Sequence, residues 1–203
     1  MKPHRIEKTI DLLHKKNEEK SENCFFNECA QTMDIIDFEA DLGIKLPLSY
    51  IIFLESFDGG FMCGNYEAKM VKENNDFEGA KWNSVSFFGL EEIRKIYEDK
   101  SLMNWKLFDT KYEVYPFIPF CRTSIGELLI FANPLSKERE SPVFDAFHEE
   151  FPNDWGMLFN NFTELFEAYV NSNGYIPTTS YDKPTVLEFV ETQKMYDESK
   201  LKD

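Results

Sequence analysis

The chain has 203 residues, with 22 Lys and Arg against 37 Asp and Glu, a formal charge of -15. That balance argues against direct binding to a phosphate backbone, where affinity comes from Lys and Arg neutralising phosphates, and favours a basic partner drawn in by long-range attraction. Its 20 Phe, 9 Tyr and 3 Trp exclude a disordered chain, and a domain of about 150 residues buries about 68–70% of its unfolded surface, enough for a real core.

In chain order, Ile6, Ile10 and Leu13 recur at helical spacing and predict an amphipathic helix over residues 4–18. Charges run through this N-terminal stretch, so it does not read as a cleavable signal. No run approaches the roughly 18 apolar residues of a membrane span. Together with reduced thiols, this predicts a cytoplasmic protein. The polar stretch SENCFFNECAQT then breaks the pattern. A second helix follows, with Ile35, Phe38 and Leu42 on one face and Gly43 placed to end it.

Residues 46–60, LPLSYIIFLESFDGG, predict a third helix. Pro47 suits the first turn, where its missing N–H costs nothing. Tyr50, Leu54 and Phe57 share a face with Phe53 beside them, and Asp58-Gly59-Gly60 is expected to close the helix. A phosphate-binding loop needs glycines after a strand and before a helix, which is the opposite order. The glycine pair therefore reads as a stop and not as a ligand cradle.

Downstream, WNSVSFFGL predicts a short strand and LEEIRKIYEDK a helix with Leu90, Ile93 and Ile96 toward the core. YEVYPFIPFCRT and GELLIFAN predict a hairpin around Ser124-Ile125-Gly126, and SPVFDAFH a third strand. Residues 160–170, with Phe162, Leu165, Phe166 and Tyr169, predict a helix started near Asn161 or Thr163. After a turn-rich stretch, a last helix begins near Pro184 and carries Leu187, Val190 and Met195. Helices, a block of strands, then helices again predict one α+β domain with a mainly antiparallel sheet.

Chemistry-bearing patterns are sparse. Cys24, Cys29, Cys63 and Cys121 lack the paired spacing of a zinc ribbon or a thioredoxin-type site. His148 has Asp145, Glu149 and Glu150 nearby, but residues 145 and 148 of one strand point to opposite faces, so no metal site and no cofactor are predicted. An enzyme would need a deep pocket with convergent polar groups. One charge feature stands out. From Glu140 to Asp182 there is no Lys or Arg, whereas Lys2, Arg5, Lys8, Lys15, Lys16 and Lys20 crowd the first 20 residues. Two readings stay open: a solvated face, or an acidic surface that docks on a basic partner. Asp145, Glu149, Glu150, Asp154 and Trp155 are the residues expected to form that surface.

The ordered motifs resemble the SUKH superfamily, the Smi/Knr-like group. They are Phe38-Glu39, Leu42-Gly43, Leu46-Pro47, Tyr50, Phe53-Leu54 and Gly59-Gly60, then Phe88-Gly89-Leu90 with Ile93. Ile118-Pro119, Gly126-Glu127, Leu128 to Phe131, Pro142-Val143-Phe144, His148, Phe159 and Phe162 to Leu165 continue the series. The resemblance covers residues 34–170, leaving helical extensions at 1–33 and 171–203. The segment Cys121-Arg122-Thr123-Ser124 departs from it, lacking the acidic, glycine-rich turn common before the next strand. The resemblance implies a strongly bent, mainly antiparallel sheet flanked by helices, with Gly43, Pro47, Gly59, Gly60 and Gly126 as structural positions. It implies a non-catalytic protein that binds a cognate polymorphic toxin domain, often a nuclease, as a bacterial immunity protein; a monomer or weak dimer is expected. The alternative within the family is a regulatory adaptor linked to cell-wall synthesis.

Overall fold

Both faces of the central strands are apolar, and this decides the architecture. In β5 (Leu128–Ala132), Leu129 and Phe131 enter one core while Ile130 and Ala132 enter another. A strand buried on both sides reads as a continuous apolar run, as LLIFA does. The computed structural model describes residues 5–19, 21–99, 117–132, 139–147, 149, 151–176 and 184–192.

The elements are α1 (Arg5–Glu19), β1 (Cys24–Phe26), α2 (Thr32–Leu42), α3 (Leu48–Leu54), β2 (Gly60–Met62), α4 (Asn65–Asn74) and α5 (Phe77–Asn83). They continue with β3 (Ser86–Phe87), α6 (Leu90–Glu98), β4 (Phe117–Arg122), β5, β6 (Val143–Ala146), β7 (Met157–Phe159) and α7 (Phe162–Asn171). A further helix runs over residues 186–192. The seven strands form one antiparallel sheet in sequential order, β1 to β7. This is the predicted α+β domain.

The first face carries the main core. Helices α1, α3 and α7 pack over it, bringing Ile6, Ile10, Leu13, Tyr50, Phe53, Phe162, Phe166 and Tyr169 against Phe87, Phe120 and Phe131. Thus α1, read as an extension, contributes to the same core as the rest. Two buried tyrosines tie helices to strands: Tyr50 donates to Phe88 O at 2.5 Å, and Tyr169 accepts from Met62 N at 2.5 Å and donates to Val85 O at 3.2 Å. Burial pushes both phenols well above their ordinary range, so they stay protonated donors. On the opposite face, Trp155, Val186 and Val190 cover Phe117, Ile130 and Phe144. The last helix therefore buries Val190 as expected, together with Val186 one turn before it, and leaves Leu187 of the predicted face half-buried. Met195 and the segment YEVY lie outside the described residues.

The predicted stops need one correction. Gly43 caps α2 as expected, left-handed at φ 63 with its N–H on Glu39 O, and Pro47 sits just before α3. Gly126, at φ 92, closes the β4–β5 turn. But α3 ends at Leu54, with helical hydrogen bonding running on only to the N–H of Phe57. Gly59 and Gly60 instead open β2, where they let backbones touch. A Cβ on Gly59 would lie 2.4 Å from Gly89 N, and one on Gly60 would lie 2.5 Å from Phe25 O. The polar stretch after α1 also holds a strand, β1, that its three residues were too few to announce.

A buried carboxylate locks the α2–α3 connection to the chain entering β6. Glu39, 5% exposed, accepts from Leu46 N and Lys45 Nζ at 2.8 Å each and from Arg139, whose Nε reaches Leu46 O at 3.2 Å. Burial alone would raise the Glu39 pKa, but these donors outweigh it and hold it below the ordinary 4.5. A lowered carboxylate pKa contributes stability above the unfolded value, lost as pH falls through the folded one. Glu39→Gln should therefore cost about 1–3 kcal/mol at pH 7. The Arg139 and Lys45 side chains are 40% and 63% exposed, so they rehydrate, which keeps the loss below that of a fully buried pair. In urea melts the gap from wild type should shrink below pH 4.5; a gap that is constant with pH would contradict this account.

Candidate functional site

The described part of the acidic stretch singled out in the sequence, residues 147, 149 and 151–156, forms a braced loop between β6 and β7, called here the 147–156 loop. Trp155 fixes it from beneath. Its ring is 2% exposed, packs on Phe117 at 5.5 Å and donates Nε1–H to Phe147 O at 3.1 Å. The chain returning at residue 184 then clamps the loop's far end: Met157 N donates to Pro184 O at 3.0 Å, Val186 N to Trp155 O at 2.9 Å and Leu187 N to Asn153 O at 3.3 Å. Thr185 and Glu188 form a reciprocal capping box at the start of that helix, at 2.9 and 3.3 Å. Trp155, expected on the docking surface, is thus a support under it, because its indole is needed to close the second core.

The surface itself is carboxylate-rich. Glu149 and Asp154 are exposed, and Glu188 and Glu191 are exposed on the adjoining helix. Asp145 is half-buried within β6; Glu150 and His148 lie outside the described residues. Sequence reading missed the aromatic of this loop. Phe151, 66% exposed, stands between the acids, its carbonyl accepting from Asp154 N at 2.9 Å. A Phe inside EEFPND was the available signal. Three other acids of the base-free stretch are occupied internally, and Asp182 lies outside the described residues. Glu140 accepts from Ser49 N and Oγ at 2.9 and 2.6 Å, Glu164 accepts from Asn160 N and Nδ2 at 3.2 and 2.8 Å, and Glu167 pairs with Arg5. The concentration of charge on one surface is therefore narrower than the sequence suggested.

Reactive groups are placed differently. Burial pushes the Cys121 thiol well above its ordinary range and raises Cys24, which makes both poorer nucleophiles. Among the described residues, no group of three or more His, Cys, Asp or Glu is arranged to hold a metal ion. No described helix is long and apolar enough to cross a membrane.

The profile of the SMI1 / KNR4 family (SUKH-1) matches residues 30–168. The chain belongs to this family. The match takes in α2 to the body of α7, that is, the whole sheet from β2 onward and the acidic loop. No curated protein matches the chain. The SUKH family is one of protein-binding, generally non-catalytic modules. The geometry explains why the family's motifs are what they are. Glu39 and Leu46-Pro47 make the buried lock, Tyr50 and Phe53-Leu54 make the core, and position 59 takes only glycine because the next motif, Phe88-Gly89-Leu90, lies directly against it.

Proposed function

We propose that this SUKH protein is an immunity protein that neutralises a cognate, basic toxin domain by covering its working surface with the 147–156 loop. The supporting observation is that loop: exposed Glu149 and Asp154 around an exposed Phe151, hydrogen-bonded to Trp155 and the 186–192 helix. A cationic cleft built to hold nucleic acid accepts such carboxylates in place of phosphates. Rim charges steer encounter and are screened over about 8 Å at physiological salt, whereas tight binding rests on desolvated aromatic anchors. Phe151 is the anchor and the acids are the steering charges. No step of chemistry is required of the chain.

The test uses the purified chain and the toxin domain that this reading expects a neighbouring gene to encode. Glu149→Lys with Asp154→Lys should slow association about tenfold or more at low salt, with the deficit closing in high salt. Phe151→Ala should leave association alone and speed dissociation about tenfold. Unchanged association of the double variant at low salt would reject the loop as the docking surface. Failure of the wild-type chain to protect cells expressing that domain would reject the immunity role. Several weak cellular partners in its place would favour the regulatory adaptor.

A further inference from the structure

Away from the acidic loop, a slot of about 260 Å3 opens between α5, α6 and the β3–β4 pair. Phe88 and Ile96 give it an apolar floor. Trp82, 55% exposed, forms one lip, and the Arg122 guanidinium lies on the indole at 3.9 Å from the ring centre. Two other cations at the rim are already engaged, Lys81 with Glu92 and Lys95 with Glu91. Arg122 forms no ion pair among the described residues, and its buried Nε has no hydrogen-bond partner.

A guanidinium lying over a ring can still offer edge N–H donors, and a carboxylate takes two of them in parallel hydrogen bonds. Burial lowers the Arg122 pKa and Glu92 raises it, the balance expected of a cation short of counter-charge. It stays protonated all the same. Glu78 and Glu92 also line the slot, and since Lys81 and Lys95 are paired, Arg122 is the lining cation left among the described residues to take a carboxylate. On a chain of charge -15, this is a place where an acidic group gains a partner. Exposed Trp beside Arg is also the composition of binding hot spots.

We propose that the Trp82–Arg122 slot docks a partner's peptide segment in which an apolar side chain, seated on Phe88 and Ile96, is followed closely by a carboxylate held by Arg122. The site stands on its own geometry and does not depend on the role given to the acidic loop. Two decapeptides test it, each with one Leu in a Gly/Ser background, followed two residues later by Glu in one and Lys in the other. They are titrated into the full chain at low salt while the Trp82 indole N–H and the Arg122 Nε–H are followed by NMR.

The Glu peptide should shift both signals and bind at least about tenfold tighter than the Lys peptide. Arg122→Gln should remove that advantage with the melting temperature unchanged. Arg122→Lys should lose it too, since an ammonium neither stacks nor forks. Equal binding of the two peptides overturns the proposal, as does wild-type binding by Arg122→Gln. A Trp82 signal that moves only on replacement of the chain's own residues 100–116 also overturns it, by assigning the slot to an internal segment.

Discussion

Gly59→Ala is expected to destabilise the protein by about 2–5 kcal/mol, far more than the same change at Gly126. Both glycines have positive φ, 81 and 92, so each alanine meets backbone strain of about 1–2 kcal/mol. They differ in what surrounds them. A Cβ on Gly126 meets nothing within 4 Å, whereas one on Gly59 falls 2.4 Å from Gly89 N and 2.8 Å from Phe88 C. Those are backbone atoms of the segment that starts α6, and they cannot swing aside. Relief requires β2 to part from the β3–α6 junction, adding overpacking of about 1–3 kcal/mol.

The contact is reciprocal, since a Cβ on Gly89 would lie 2.5 Å from Asp58 O. Asp58 Oδ1 meanwhile accepts from Leu90 N at 2.8 Å, capping α6 at a position where Gly89 has no side chain to do so. Urea midpoints of the two alanine variants measure the difference. If Gly59→Ala does not fold, Gly126→Ala must still fold with a loss near the strain value alone. Equal midpoints would show that the close approach carries no energy.

What the sequence announced and what it hid divide along the range of the interactions involved. The α2 stop at Gly43, the cap Asn161 accepting from Glu164 N at 3.0 Å, and the β4–β5 turn at Gly126 each depend on residues a few positions apart. Local signals therefore sufficed. Gly59 and Gly60 looked like a helix stop because a glycine required by a distant strand is written the same way as one required by φ alone. The segment 61–81 gave no periodic pattern, since Phe61, Cys63, Val71 and Ala80 form a small separate cluster with polar residues between them, and Trp82 and Asn83, expected to begin a strand, instead end α5. Trp155 looked like a surface residue because the Val186 and Val190 that bury it lie some thirty positions later. Trp82 and Arg122 are forty residues apart and meet only because Ser86 pairs with Arg122 across β3 and β4. The acidic surface was visible as composition, but its aromatic centre was not, since exposure of Phe151 is a property of the folded loop.

Phe162→Ala should be the costliest truncation in the core, at about 3–5 kcal/mol, or a fall in melting temperature of about 10 °C. Phe162 is fully buried at the start of α7 and meets six rings: Tyr50 at 4.9 Å, Phe53 and Phe166 at 5.5 Å, Phe87 at 5.6 Å, Phe120 at 5.8 Å and Phe131 at 6.3 Å. These belong to α3, β3, β4, β5 and α7, so one side chain joins both layers of the domain. Phe120 and Phe131 are stacked at 3.8 Å, and Tyr50 is held by its hydroxyl, so neighbours cannot collapse into the space left behind. A cavity that stays open costs more than the transfer of the lost atoms. Phe162→Leu keeps most of the volume and should cost less than about 1.5 kcal/mol.

The same variant separates scaffold from surface. Phe162 lies in the first-face core, while the 147–156 loop is braced from the opposite face by Trp155, Val186 and Val190. Below its melting transition, Phe162→Ala should therefore bind a partner of the loop with wild-type kinetics, whereas Trp155→Ala, which takes out the loop's support, should weaken binding at a smaller cost in stability. Parallel losses of binding and stability in both variants would show that the loop is not held independently of the main core.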